Sequence, residues 1–330
     1  MLDPFGRKVS YLRLSVTDRC NFRCHYCMAE NMQFLPRSEV LTIEELELVC
    51  HVFIELGVER IRITGGEPLV RQGLMQLFQS LGRSLHANKL QEVTLTTNGV
   101  LLDQYADELY ESGVRRINIS LDTLNEKRFA ELTRKGALQT VLKGIQAADR
   151  AGMRIKINAV ALKSINDDEW HDLLQWCGDK GYDLTFIESM PMGEIGDLRA
   201  GHFMPVDLVQ QQLREQWTLT ASSHKTGGPA RYYDVAETGQ RVGFITPYTH
   251  NFCETCNRVR LSCTGQLYLC LGQDDMVDLR QVIRESGGDS QAIKVAILEG
   301  IKRKPKGHDF DADRLEDGAQ VVRFMSHTGG

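Results

Sequence analysis

The sequence predicts an α/β fold: an incomplete (βα)6 barrel of the TIM type, followed by a C-terminal extension. Short β-branched runs alternate with longer helical patterns six times in the first two-thirds of the chain, and glycines punctuate the helix ends. Near Glu194 the alternation stops and gives way to glycine-broken, cysteine-bearing sequence. A closed barrel needs eight βα units, so six predict a partial one, or else an open doubly wound sheet. The expected division is residues 1–220 for the barrel and 221–330 for the extension.

The elements follow in order. Tyr11–Val16, Arg60–Thr64, Glu92–Thr96, Arg115–Ser120, Arg154–Ala159 and Asp183–Glu188 are short and rich in Ile, Val, Leu and Thr, as strands covered by helices are. Between them Ile43–Leu56, Gly73–Leu85, Asp103–Ser112, Ala137–Ala151 and Glu169–Lys180 carry helical patterns. Thr42 with Glu45 three positions on predicts a capping box. Gly57, Gly113, Gly152 and Gly181 stand where these helices should end. Beyond Glu194, Gly193, Gly196 and Gly201 mark a crossing loop, Pro205–Trp217 reads as a helix and Ser222–Ala230 as a loop. Arg241–Pro247 and Leu267–Leu271 read as short strands, and the acidic stretch Asp309–Gly318 predicts little local order.

The composition is that of an ordinary globular protein of 330 residues, with 42% hydrophobic and 25% charged residues. The formal net charge of −5 argues against a protein that coats nucleic acid, while leaving room for local basic pockets. No apolar run reaches the length of a membrane span, and Met1–Ser10 lacks the apolar segment of a secretory signal. A cytoplasmic protein is expected.

Seven of the nine cysteines form two tight groups, which in a reducing compartment reads as metal ligation. The first is Cys20-x3-Cys24-x2-Cys27, directly after the first strand, where barrel active sites form. Three thiolates can hold three irons of a [4Fe–4S] cube and leave the fourth open. With His25 they could instead bind zinc. The second strand ends in Thr64-Gly65-Gly66-Glu67-Pro68, whose glycines permit close approach of a ligand to the backbone. Thr97, Asn98, Ser120, Asp122 and Asn158 add polar groups at successive strand ends.

The second group, Cys253-x2-Cys256-x13-Cys270 with Cys263 between, suits a further cluster or a four-cysteine zinc site. Arg258 and Arg260 alternate beside it and share a face if that stretch is extended. Arg13, Arg62 and Lys156 lie inside predicted strands, where an unpaired charge is costly. Five cations aimed into one lumen suit a polyanion such as a phosphate chain. The run Lys302, Arg303, Lys304 and Lys306 reads as a solvated face.

The C-x3-C-x2-C motif with Tyr26 before its last cysteine, followed by Gly-Gly-Glu-Pro, resembles the radical S-adenosylmethionine (SAM) enzymes. Three stretches narrow the resemblance to the GTP 3′,8-cyclase (MoaA) family of molybdenum cofactor biosynthesis. They are Leu14–Cys24, Arg62–Pro68 and Phe252–Ser262, together with the closing Gly329-Gly330. That resemblance covers essentially the whole chain. It implies two [4Fe–4S] clusters, on Cys20, Cys24 and Cys27 and on Cys253, Cys256 and Cys270. It implies SAM on the first, with Gly65, Gly66 and Glu67 at the methionine moiety and Thr97, Ser120 and Asn158 near the remainder. GTP is implied at the second, with Arg13, Arg62 and Lys156 around the triphosphate, Arg60 near them, and Arg258 and Arg260 beside the cluster. The tail Gly329-Gly330 is implied to reach those arginines.

The implied reaction begins when a 5′-deoxyadenosyl radical removes the ribose C3′ hydrogen of GTP. C3′ then bonds to guanine C8 and gives 3′,8-cyclo-7,8-dihydro-GTP. The implied partners are a second copy of the chain, an external low-potential electron donor and the synthase that makes cyclic pyranopterin monophosphate. Two departures stand out: Cys263 is an additional thiol, and His327-Thr328 precede the glycines where the family often has an aromatic–aliphatic pair.

Overall fold

The computed structural model of the chain describes residues 1–193, 201–249, 252–311, 314 and 319–329. Its core is the predicted alternation. The order is β1 (Tyr11–Ser15), α1 (Ile43–Glu55), β2 (Arg60–Thr64), α2 (Leu74–His86), β3 (Glu92–Thr97), α3 (Leu102–Glu111) and β4 (Arg116–Ser120). Then come α4 (Glu126–Thr133), α5 (Leu138–Arg150), β5 (Arg154–Ala161), α6 (Trp170–Lys180) and β6 (Asp183–Glu188). β1 to β6 pair in parallel with their sequence neighbours, Tyr11 opposite Arg60 and Arg116 opposite Arg154. Alternation along each strand sorts the two faces. Leu12, Leu14, Ile61, Ile63, Ile117 and Ile119 are fully buried, while Arg13 and Arg62 sit at the intervening positions of the opposite face. The capping box at Thr42 forms, its hydroxyl accepting from Glu45 N and the Glu45 carboxylate from Thr42 N.

The remainder comprises α7 (Val206–Leu213), β7 (Leu219–Ala221), β8 (Arg231–Val235), β9 (Arg241–Ile245), β10 (Arg258–Leu261), β11 (Gln266–Tyr268) and β12 (Met276–Asp278). It continues through α8 (Leu279–Glu285), α9 (Ser290–Ile301) and α10 (Met325–Thr328). β9 joins β6 in parallel and β10 joins β1 in parallel. Eight parallel strands therefore stand side by side, as in a closed barrel. The circle stays open because each flank is capped by antiparallel strands, in the order β12-β11-β10-β1-β2-β3-β4-β5-β6-β9-β8-β7.

Elements beyond the sequence reading include α4, β7, β8, β12, α8, α9 and α10, and so does the pairing of β10 with β1. α4 is short, and its start is fixed by Asn125, whose side chain accepts from Arg128 N. The β1–β10 pair joins residues about 250 positions apart, which no local pattern encodes. The helix expected over Pro205–Trp217 ends earlier, at Leu213. Of the expected crossing loop, residues 194–200 lie outside the described residues, as do 312–313 and 315–318 of the acidic stretch. No described helix is long and apolar enough to cross a membrane.

Candidate active site

The loop after β1 is pressed against the turn after β2. Gly66 N donates to Thr17 O and Glu67 N to Arg19 O, each at 2.8 Å. A Cβ at Gly66 would stand 2.4 Å from Arg19 O, and one at Gly65 would stand 2.7 Å from Thr17 O. These glycines are thus required for backbone packing against the cysteine loop, and both also face the cavity beside it. Glu67 differs. It is fully buried and is not among the residues lining that cavity; its carboxylate accepts from Thr97 Oγ1 (2.8 Å), Asn98 N (2.7 Å) and Leu69 N (3.0 Å). Burial lifts its pKa to about 7 against those donors. Its carboxylate holds Thr97 and Asn98 in place, and Asn98 Nδ2 reaches Asn21 Oδ1 at 2.7 Å in the cysteine loop.

The upper cavity, at the C-terminal ends of the strands, is lined by Cys20, Cys24 and Cys27 together with Gly65, Gly66, Thr97, Ser120 and Asn158. Tyr26 turns its hydroxyl to Asp122 Oδ2 at 2.7 Å, and Asp122 also accepts from Val160 N. Burial raises the Asp122 carboxyl to about 6 and the Cys20 thiol to about 11. The residues present fit a cluster and an adjoining polar ligand. Four buried side-chain atoms of this lining, Thr96 Oγ1, Asn158 Oδ1, Ser189 Oγ and Ser326 Oγ, have no hydrogen-bond partner among the described residues. Each such vacancy costs ~1–3 kcal/mol, which a bound polar ligand offsets. His25 does not join the thiols: its ring nitrogens meet Glu131 O (2.9 Å) and the Arg134 guanidinium (3.3 Å). Among the described residues no three His, Cys, Asp or Glu side chains gather around a single-ion site.

The lower cavity lies between β1, β2, β5 and β10. Arg13, Arg62, Lys156, Arg258 and Arg260 line it with Cys253, Cys256 and Cys270, and among the described residues no Asp or Glu does. Extended β10 does put Arg258 and Arg260 on one face, with Arg260 level with Arg13. Lys156 Nζ donates to Tyr232 OH at 2.6 Å, Arg62 lies over the Tyr11 ring and Arg258 over the Phe252 ring. Burial and the neighbouring cations pull the Arg13 and Lys156 pKa values down. Burial, then Arg258, brings Arg260 down to about 9. Asn158, Ile187, Met190 and Met325 line both cavities, so the two cysteine groups share one continuous lumen.

The chain's end enters that lumen. Ser326 and Thr328 are buried, and Arg260 Nη1 donates to Gly329 O at 2.6 Å. Gly330 lies outside the described residues. Cys263 stands apart from the other thiols of its group, buried near Asp18 and Arg71. Burial, then Asp18, pushes it up to about 12.

One expectation is overturned. Lys302 and Arg303 do face solvent, paired with Glu299 and Asp275, but Lys304 is 2% exposed. Its ammonium donates to Leu269 O at 2.6 Å and lies 3.9 Å from Cys256 Sγ. The turn after α9 bends it inward, where local charge pattern gives no hint of burial. Burial raises the Cys256 thiol, yet Arg258 and Lys304 outweigh it and bring that thiol down to about 7. Lys304→Met keeps the stem's packing and removes the charge. If the second group holds a cluster, the expected result is loss of roughly half the iron retained after gel filtration, taken from that group alone, with Lys304→Arg keeping more. Iron and sulfide counts against SAM cleavage read this out; unchanged iron in Lys304→Met would count against the role.

Comparison with known proteins agrees with this geometry. The radical SAM superfamily profile matches residues 14–177, and the Molybdenum Cofactor Synthesis C profile matches residues 182–310. The chain is 56% identical along its whole length to a curated GTP 3′,8-cyclase of Paracoccus denitrificans (strain Pd 1222), of which it covers 96%. It is 57% identical to that of Mesorhizobium japonicum, covering 99%. Among solved structures, Streptococcus suis SuiB bound to S-adenosylmethionine superposes with a TM-score of 0.61 over 97% of this chain and 77% of that one. At 15% identity that likeness concerns the fold alone. With two matching profiles and relatives of this identity over its full length, the chain belongs to the GTP 3′,8-cyclase family of radical SAM enzymes.

Proposed function

We propose that this chain converts GTP to 3′,8-cyclo-7,8-dihydro-GTP for molybdenum cofactor synthesis. The observation that carries the reading is the single lumen with a three-cysteine group at each end and five cations, without a carboxylate, beside the second. Cys20, Cys24 and Cys27 would hold a [4Fe–4S] cluster that, once reduced, would supply the electron for SAM cleavage and so the hydrogen abstraction at C3′ of GTP.

The chain's own residues position the reactants. Thr96, Asn158, Ser189 and Ser326 offer polar atoms to SAM, Gly65 and Gly66 let it approach the backbone, and Thr97 and Ser120 complete that wall. Glu67 acts through Thr97 and Asn98. Cys253, Cys256 and Cys270 would hold a second [4Fe–4S] cluster on the GTP side of the lumen. Arg13, Arg62 and Lys156 take the triphosphate, and Arg258 and Arg260 flank the base and ribose. Gly329 closes the lumen from the tail, a role that family membership extends to Gly330. In this reading residues 1–220 serve SAM and residues 221–330 complete the GTP side. A homodimer, a low-potential electron donor and cyclic pyranopterin monophosphate synthase are its partners, on the strength of family membership.

The test uses anaerobically reconstituted, reduced protein with SAM and GTP deuterated at ribose C3′. Deuterium is expected in 5′-deoxyadenosine, together with a cyclised nucleotide, by mass spectrometry. SAM cleavage without deuterium transfer overturns the substrate assignment.

A further inference from the structure

Charge is segregated along the barrel. The upper cavity has only Asp122 and Glu188 as charged side chains apart from its thiols, and the lower one has only cations. A third recess opens at the N-terminal ends of the strands, where no cysteine lies. Arg60, Arg115, Arg116, Arg154, Lys225 and Arg241 ring it against just two carboxylates, Glu92 and Asp183. Those two are engaged by Arg116 and Arg241 at 2.9 Å. Arg115, Arg154 and Lys225 stand exposed at its rim, and Arg154 and Lys225 make no ion pair among the described residues. The recess thus keeps a surplus of positive charge, although the chain as a whole is at −5.

A thin partition separates this recess from the lower cavity. Lys156 and Thr226 line both spaces. Tyr232 OH joins them, accepting from Lys156 Nζ at 2.6 Å and lying 3.4 Å from Thr226 Oγ1. Thr226 belongs to the connection between β7 and β8, which crosses beneath the lumen: a Cβ at Gly227 would meet Arg60 Cδ at 2.8 Å and the Tyr11 ring at 3.2 Å. Lys156 is therefore the one cation that faces both the outer recess and the inner site.

We propose that this recess is the vestibule through which the nucleotide is admitted, triphosphate first, with Lys156–Tyr232–Thr226 as its threshold. A recess of surplus positive charge attracts a polyanion from solvent and raises its local concentration. At the threshold Lys156 exchanges the Tyr232 hydroxyl for phosphate oxygen. SAM, whose sulfonium is cationic, is repelled here and suited to the acidic upper end, so the two reactants approach from opposite mouths.

This inference rests on GTP as the substrate, and the experiment separates the two. Arg154→Glu with Lys225→Glu reverses two rim charges that touch neither cavity of the active site. Stopped-flow fluorescence follows binding of an N-methylanthraniloyl GTP analogue to reconstituted protein across ionic strength. At low salt the association rate is expected to fall about tenfold or more, and to approach the wild-type rate in high salt. The dissociation rate, kcat and SAM binding should stay unchanged. Arg83→Glu with Lys127→Glu, the same charge change on the outer helices α2 and α4, should have little effect. Equal slowing by both pairs, or an unaltered association rate in the rim variant, overturns the vestibule. Failure of the wild-type protein to bind the analogue overturns the substrate reading as well.

Discussion

Cys24→Ser is expected to abolish SAM cleavage while leaving roughly half of the iron in place. Cys24 is the middle thiol of the first group, and burial, then Cys27 and Asp122, pushes its pKa well above the ordinary thiol value. What makes it a candidate ligand is its place in the upper cavity beside Cys20 and Cys27. Serine keeps the volume but offers iron a poor ligand. With the second cluster proposed above, a loaded protein carries about eight irons, of which about four should remain, on the second group. SAM cleavage should drop below detection, since it needs the lost cluster. Cys263→Ala is the matched control: its thiol is buried apart from its neighbours in the chain, and iron and activity should both hold. Full iron in Cys24→Ser, or iron loss in Cys263→Ala, would reverse the ligand assignment.

Much of this was legible in the chain, for a physical reason. Strand and helix periods are local, and β2 and β6 run over the very residues the alternation picks out. The cysteine groupings are legible in part: Cys20, Cys24 and Cys27, close in sequence, line one cavity, whereas Cys270 reaches the cavity of Cys253 and Cys256 only through the fold. The directions of Arg258 and Arg260 follow from strand geometry once the stretch is extended. Other features depend on which segment meets which. Lys304 sits in a run of cations that resembles any solvated face, and only the turn after α9 sends its amine to Leu269 O. Glu67 follows two glycines that face the cavity, yet its side chain turns behind them to Thr97 and Asn98, a choice set by β3. The cationic vestibule is assembled from the first residues of four strands, β2, β4, β5 and β9, with Arg115 and the β7–β8 connection. Nothing marks these residues as a group before the sheet aligns their ends.

Gly329→Ala is expected to separate radical generation from cyclisation. Gly329 has φ +77°, a conformation natural to glycine and strained for alanine. The space around it is decisive as well: a Cβ would lie 1.8 Å from Thr64 Oγ1 and 2.7 Å from Thr64 Cβ. Thr64 ends β2 and its hydroxyl is tied to Leu14 O at 3.1 Å, so it has no room to yield. The tail must therefore withdraw, and Arg260 loses the Gly329 carbonyl it holds at 2.6 Å. A reacting group displaced by about an ångström costs on the order of 100-fold in rate. Cyclised product should fall by at least that factor, while both iron content and reductive SAM cleavage persist. Arg260→Ala removes the other half of the same contact and should produce the same uncoupling. The double variant then decides whether tail and arginine act as one device: shared action gives a loss close to that of either single change, whereas independent action multiplies the two. Multiplied losses would mean that Arg260 and the tail act independently rather than through their shared contact.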